Sequence, residues 1–194
     1  MKRALLIVDV QNDFCPGGAL AVPRGDEVVP VFNRIMPAYD LVIASQDWHP
    51  PDHCSFAANH PGRQPFETVL VGGRRQTLWP THCVRDTPGA ALHPALRLDR
   101  ITRFERKGSD PQIEGYSAFS ESLAADLRKL RVTSLDIGGL ATDYCVRATV
   151  LDACREGFPV RFLAKASRGI EARPGDLARA VAEMRAAGAE IADA

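Results

Sequence analysis

The chain has 194 residues, 45% hydrophobic and 25% charged, a composition suited to one globular domain with a substantial core. Its 24 basic and 24 acidic residues cancel, which leaves no basic field for nucleic acid or an anionic membrane. No apolar run approaches the ~20 residues that span a bilayer, and Asp9, Gln11, Asn12 and Asp13 interrupt the amino-terminal run too early for a signal peptide. A cytoplasmic protein is expected, with free thiols rather than a disulfide framework, because the cysteines at 15, 54, 83, 145 and 154 are odd in number and scattered.

Residues 4–10 form a short β-rich apolar run closed by polar residues, the pattern of a buried parallel strand. Residues 27–39 carry Val28, Val31, Phe32, Ile35 and Met36 at helical spacing, with Pro30 and Pro37 limiting the helix. A second strand at 40–45 runs into Gln46-Asp47-Trp48-His49. Between Pro50 and Pro94 the pattern lapses into a stretch dense in Pro, Gly and His, and a loop that long inside a compact domain is usually functional. A third strand at 101–104 leads into Arg106-Lys107-Gly108, and an amphipathic helix follows at 120–130. Then come a strand at 134–137, a helix at 143–156, a strand at 159–164, a helix at 175–187 closed by Gly188, and an edge strand at 190–192. This alternation predicts a single three-layer α/β/α domain over 1–194, with a central mainly parallel sheet, right-handed crossovers and a loop insertion around 47–94.

Ligands of open α/β sheets bind beyond the carboxyl ends of the strands. The polar residues expected there are Asp9, Asp47 with His49, Lys107 and the turn Gly138-Gly139-Leu140-Ala141-Thr142-Asp143-Tyr144-Cys145. A cysteine at a helix opening has its thiol pKa lowered by the helix terminus, and the same amides can cradle a negative oxygen. Asp9 can then take the thiol proton, Lys107 can hold the charged forms, and Cys145 can attack a carbonyl. Taken singly, Asp9 could merely cap a turn, Lys107 could be a solvated lysine, and Cys145 could be buried packing.

A second constellation is Asp47-Trp48-His49 with Trp79-Pro80-Thr81-His82-Cys83. Alternate residues of an extended segment share a side, so Asp47 and His49 can ligate one ion, with His82 as a third ligand. A carboxylate and two imidazoles suit Zn²⁺, Mn²⁺ or Fe²⁺. His53 is left open between a ligand and a pocket wall.

In this order, Ile7-Val8-Asp9-Val10-Gln11-Asn12-Asp13-Phe14, Gly17-Gly18-Ala19-Leu20, Ser45-Gln46-Asp47-Trp48-His49-Pro50, His53-Cys54-Ser55-Phe56, Trp79-Pro80-Thr81-His82-Cys83-Val84, Lys107-Gly108 and the Cys145 turn span nearly the whole chain. Together they resemble the nicotinamidase/pyrazinamidase branch of the isochorismatase-like cysteine hydrolases. The resemblance implies a triad of Asp9, Lys107 and Cys145, and one divalent ion held by Asp47, His49 and His82, with zinc expected and iron or manganese suited to the same donors. It also implies a cis peptide before Ala141, an oxyanion hole of the Ala141 and Cys145 amides, and a ring pocket of Phe14, Leu20, Trp79, Tyr116 and Leu140. The run 109–114 is a little longer than in some relatives, which bears on the placement of Tyr116.

The implied reaction is hydrolysis of nicotinamide to nicotinate and ammonia through a cysteine thioester, with pyrazinamide also a substrate and pyridine-nucleotide recycling as the setting. The implied partners are small amides, and a homo-oligomer is compatible with the sequence. The residues alone also admit a metallohydrolase in which Cys145 only packs, a redox-sensing binding module, and a sibling amidase acting on another small amide.

Overall fold

Along residues 4–8, alternation puts Leu5 and Ile7 on one face of a strand and Ala4, Leu6 and Val8 on the other. In the computed structural model, which describes residues 2–193, both sets are fully buried. Only a strand covered on both faces buries in this way. In chain order the elements are β1 (Lys2–Val8), α1 (Val28–Ile35), β2 (Leu41–Asp47), β3 (Thr68–Val71), β4 (Arg74–Thr77) and β5 (Arg103–Lys107). They continue as α2 (Glu121–Lys129), β6 (Val132–Leu140), α3 (Arg147–Arg155), β7 (Val160–Arg168), α4 (Asp176–Ala186) and β8 (Glu190–Ala192).

Six strands form one sheet in the order β5-β2-β1-β6-β7-β8, and every neighbouring pair is parallel. Leu5, Ile7, Val42 and Ala44 pack with Val28, Val29 and Phe32 of α1. On the opposite face Leu6, Ile43, Leu135 and Phe162 pack with Leu123 and Leu127 of α2, Val150 of α3 and Met184 of α4. Helices thus cover both faces, which is the expected three-layer α/β/α architecture. Each large side chain buried this way contributes about 1.5–3 kcal/mol. Ser120 caps α2 by accepting the Leu123 amide at 3.1 Å. Among the described residues no helix is long and apolar enough to cross a membrane.

The elements match the expected order, with two informative differences. The stretch 50–94 contains the antiparallel hairpin β3–β4, turned by Gly72 and Gly73 at positive φ of 54° and 79°. A Gly-Gly pair between two four-residue strands is the signature of such a turn, so this signal was present in the sequence. The helix predicted over 143–156 begins instead with a single wide turn at Thr142–Val146, in which the Val146 amide reaches the Ala141 carbonyl at 3.1 Å. Wide turns of this kind are frequent at functional sites.

Candidate active site

Parallel register brings the chemistry together. Asp47 and Lys107 end β2 and β5 and lie side by side in the sheet. Asp9 follows β1 directly, in the left-handed region at φ 49°, a conformation that aspartate tolerates better than most residues. On the next strand, Gly139 pairs with Val8, and a Cβ there would lie 2.0 Å from the Val8 carbonyl oxygen. Only glycine lets β6 run this close and deliver the Cys145 turn beside Asp9.

Lys107 is the hub. Its Nζ lies 2.5 Å from Asp47 Oδ1, 2.9 Å from Asp9 Oδ2, 3.2 Å from the Gly115 carbonyl and 3.4 Å from Cys145 Sγ. Ser45 donates to Asp9 Oδ1 at 2.6 Å and accepts the Asp9 amide at 3.3 Å. Asp9 Oδ2 pairs with the ammonium by charge, at an angle that is not a hydrogen bond, so this buried oxygen has no donor. Gln11 fixes Asp47 from behind: its amide bonds the Asp47 carbonyl and N–H, each at 2.8 Å, and also reaches the Ala90 carbonyl.

The electrostatics follow from burial and charge. Burial pushes the Asp9 carboxyl above its ordinary value against the pull of Lys107, and the Asp47 charge adds to the rise. Burial alone would also raise Asp47, but the Lys107 ammonium and His49 hold it well below. Lys107 stays charged because the two carboxylates outweigh its own desolvation. The Cys145 thiol is pushed up by burial, with Lys107 opposing and Asp47 and Asp9 reinforcing the rise. This corrects the expectation of a lowered thiol pKa: Cys145 is 6% exposed, and desolvation outweighs the pull of the Lys107 ammonium. The sulfur therefore rests protonated beside a base whose proton affinity is also raised.

Asp47, His49 and His82 bring their donor atoms within 4.8 Å of one another. The surrounding carbonyls fix the ring tautomers. His49 donates from Nδ1 to Gly108 O at 2.8 Å and His82 from Nδ1 to Pro80 O at 2.7 Å. Each ring is thereby left with an Nε2 lone pair, the usual outer arrangement of metal-binding histidines. Burial, with the neighbouring His49 adding to it, pushes His82 down to about 4, so it is neutral and able to ligate. The residues present fit a divalent ion. His53 lies outside the group: its ring is 4.1 Å from that of His49, Nε2 donates to Ile113 O at 3.3 Å, and Nδ1 engages Ser55 Oγ at 2.7 Å.

Beside these groups is a cavity walled by Phe14, Leu20, Trp79 and Tyr116, with Asp47, His82, Ala141 and Cys145 at its polar end. Trp79 Nε1 donates to Tyr116 Oη at 3.1 Å, tying two walls together. Open space is only about 20 Å³, room for one water, so seating a flat ring requires the walls to part. Leu140, expected in the ring pocket, does not line it; the side chain is fully buried against Gly25 on the α1 side of the sheet. The Leu140–Ala141 peptide is cis, as expected.

Glu114, Tyr144 and Ile170 also line the cavity and escaped sequence reasoning. Ile170 is placed by Asp143, whose Oδ1 accepts the Ile170 amide at 3.0 Å and whose Oδ2 accepts the Glu171 amide at 2.8 Å. The position of Asp143 just ahead of Cys145 was a usable signal, whereas Ile170 carries none.

The chain is 47% identical to the nicotinamidase of Escherichia coli K12, over 97% of this chain and 93% of that protein. A solved nicotinamidase/pyrazinamidase from Acinetobacter superposes with a TM-score of 0.95 at 39% identity, covering 99% of this chain and 96% of the other. The pyrazinamidase of Pyrococcus horikoshii in complex with zinc superposes at 0.82 with 40% identity over 100% of both chains. These likenesses cover nearly the whole chain, and the isochorismatase domain model is matched from residue 3 to residue 194, so the chain belongs to the isochorismatase family.

Proposed function

We propose that the protein hydrolyses nicotinamide to nicotinate and ammonia through a thioester on Cys145, and that it also accepts pyrazinamide. The observation that carries this reading is the hub at Lys107, which holds a buried base 2.9 Å away and a buried thiol 3.4 Å away on one ammonium. The nicotinamidases among its relatives supply the substrate class.

Asp9 takes the Cys145 proton on Oδ2, the oxygen with no hydrogen-bond donor. The sulfur attacks the carboxamide carbon, and the carbonyl electron pair moves onto oxygen. The Ala141 and Cys145 amides are the proposed donors to that oxyanion; losing one such donor costs on the order of 100-fold in rate or more. Asp9 returns its proton to the departing nitrogen, the C–N bond breaks, and ammonia leaves. Asp9 then takes a proton from water as it attacks the thioester; the C–S bond breaks, the proton returns to sulfur, and nicotinate is released. Lys107 stays charged throughout and holds Asp9 and the sulfur in register. Phe14, Leu20, Trp79 and Tyr116 hold the ring.

Bound to Asp47, His49 and His82, a divalent ion, zinc in this proposal and with iron or manganese suited to the same donors, supplies a Lewis acid for a ring-nitrogen lone pair. A single domain acting in the cytoplasm on small amides, in pyridine-nucleotide recycling, accords with this reading. Rapid-quench intact-mass measurement with nicotinamide tests the thioester: a nicotinoyl adduct on wild type that is absent from Cys145→Ala supports it. No adduct at any quench time during turnover contradicts it.

A further inference from the structure

The proposed reaction leaves the Glu114 carboxyl unused, although it lines the cavity with Asp47 and His82. It comes from the loop between β5 and α2, and Gln76 of β4 holds it, donating to Oε2 at 2.7 Å. Gln76 is 6% exposed, and its amide nitrogen also donates to the Thr77 carbonyl at 2.7 Å, so the tether is itself fixed. Among the described residues no donor to the carboxylate other than Gln76 is seen. Lys107 pairs with Asp9 and Asp47 and not with Glu114. Asp9, Asp47 and Glu114 set three carboxyls around one ammonium, with His49, 3.6 Å from Asp47, as the other basic group in the metal-free site. A doubly charged cation held by Asp47, His49 and His82 restores balance.

Glu114 does not belong to the close donor group, so its role is not direct ligation. We propose that Glu114, oriented by Gln76, is an outer carboxylate of the metal centre, accepting hydrogen bonds from water in the ion's open positions and completing the charge balance. The inference rests on the reading of Asp47, His49 and His82 as the ion's ligands. It makes the β3–β4 hairpin, through Gln76, a determinant of how tightly the ion is held. Burial and the Asp47 charge push the Glu114 carboxyl above its ordinary value, a situation that a nearby dication reverses.

The test is zinc affinity of the metal-free protein, read by competition with a chromophoric chelator near neutral pH. Glu114→Gln, which keeps the shape and removes the charge, weakens the Kd about 10–100-fold, the usual effect of losing an outer partner of a metal site. Glu114→Asp recovers most of that affinity, Gln76→Ala gives a smaller loss, and Glu121→Gln, an exposed change on α2, gives none. An unchanged Kd in Glu114→Gln overturns the inference while leaving the Asp47, His49 and His82 centre standing. Failure of wild type to bind zinc overturns both. Neither readout depends on which amide is the substrate.

Discussion

Replacing Lys107 with methionine keeps the length of the side chain and removes its charge. The ammonium touches two carboxylates that are almost completely dry: Asp9 is 0% and Asp47 4% exposed, and Lys107 itself is 8% exposed. With Nζ 2.5 Å from one and 2.9 Å from the other, removal leaves both without their cation. Breaking a buried pair from one side costs about 3–5 kcal/mol. For a chain of this size each kcal/mol moves Tm by about 2–4 °C, so a fall of roughly 6–20 °C is expected in Lys107→Met.

The sign of the pH dependence is also set. In wild type the Asp47 pKa is held below its unfolded value, so its stabilisation is present above the ordinary carboxylate range and is lost only as pH falls below that range towards the depressed folded pKa. The variant lacks that contribution, and its carboxyls protonate more readily. The gap between the two proteins is therefore widest near neutral pH and narrows towards pH ~4. Urea denaturation of both metal-free proteins at the two pH values measures it. A gap below about 1 kcal/mol near neutrality, or one that widens on acidification, refutes the hub as described.

Two further outcomes are expected. In Asp143→Ala the Ile170 and Glu171 amides lose their acceptors, at a cost on the order of 1–3 kcal/mol. Steady-state kinetics should show KM rising more than kcat falls, since the Ile170 wall loosens while the hub is untouched; an unchanged KM contradicts this. His53 and His82 have pKa values lowered by burial from 6.5 to about 4, so the unfolded chain binds their protons first. Metal-free protein should therefore lose stability as pH falls from 6.5 through about 4, at up to about 1.4 kcal/mol per pH unit for each such group. A Tm that is flat across that window is inconsistent with neutral, buried rings.

The sheet and its strand ends were legible because they obey local rules. Continuous apolar runs buried on both faces, an amphipathic helix at 120–130, and polar residues closing the apolar runs each leave a mark within a few positions. Asp9, Asp47, Lys107 and Cys145 were recognisable for that reason. Glu114 was not, because its place depends on a loop without periodic pattern and on a tether from Gln76, 38 positions earlier in the chain. Leu140 was misplaced in the ring pocket because its neighbours in sequence are at the site while its side chain faces Gly25. The thiol's proton affinity was misread for a similar reason: a helix opening is visible in sequence, whereas the burial that raises the thiol pKa appears only once β6 lies against β1.

The most direct measurement is ammonia release from nicotinamide by wild type and Cys145→Ala, each with and without a chelator. The account predicts turnover in untreated wild type, loss of turnover in the chelated enzyme, and none in the variant under either condition. Substantial turnover by Cys145→Ala would contradict it and move the attacking group away from sulfur.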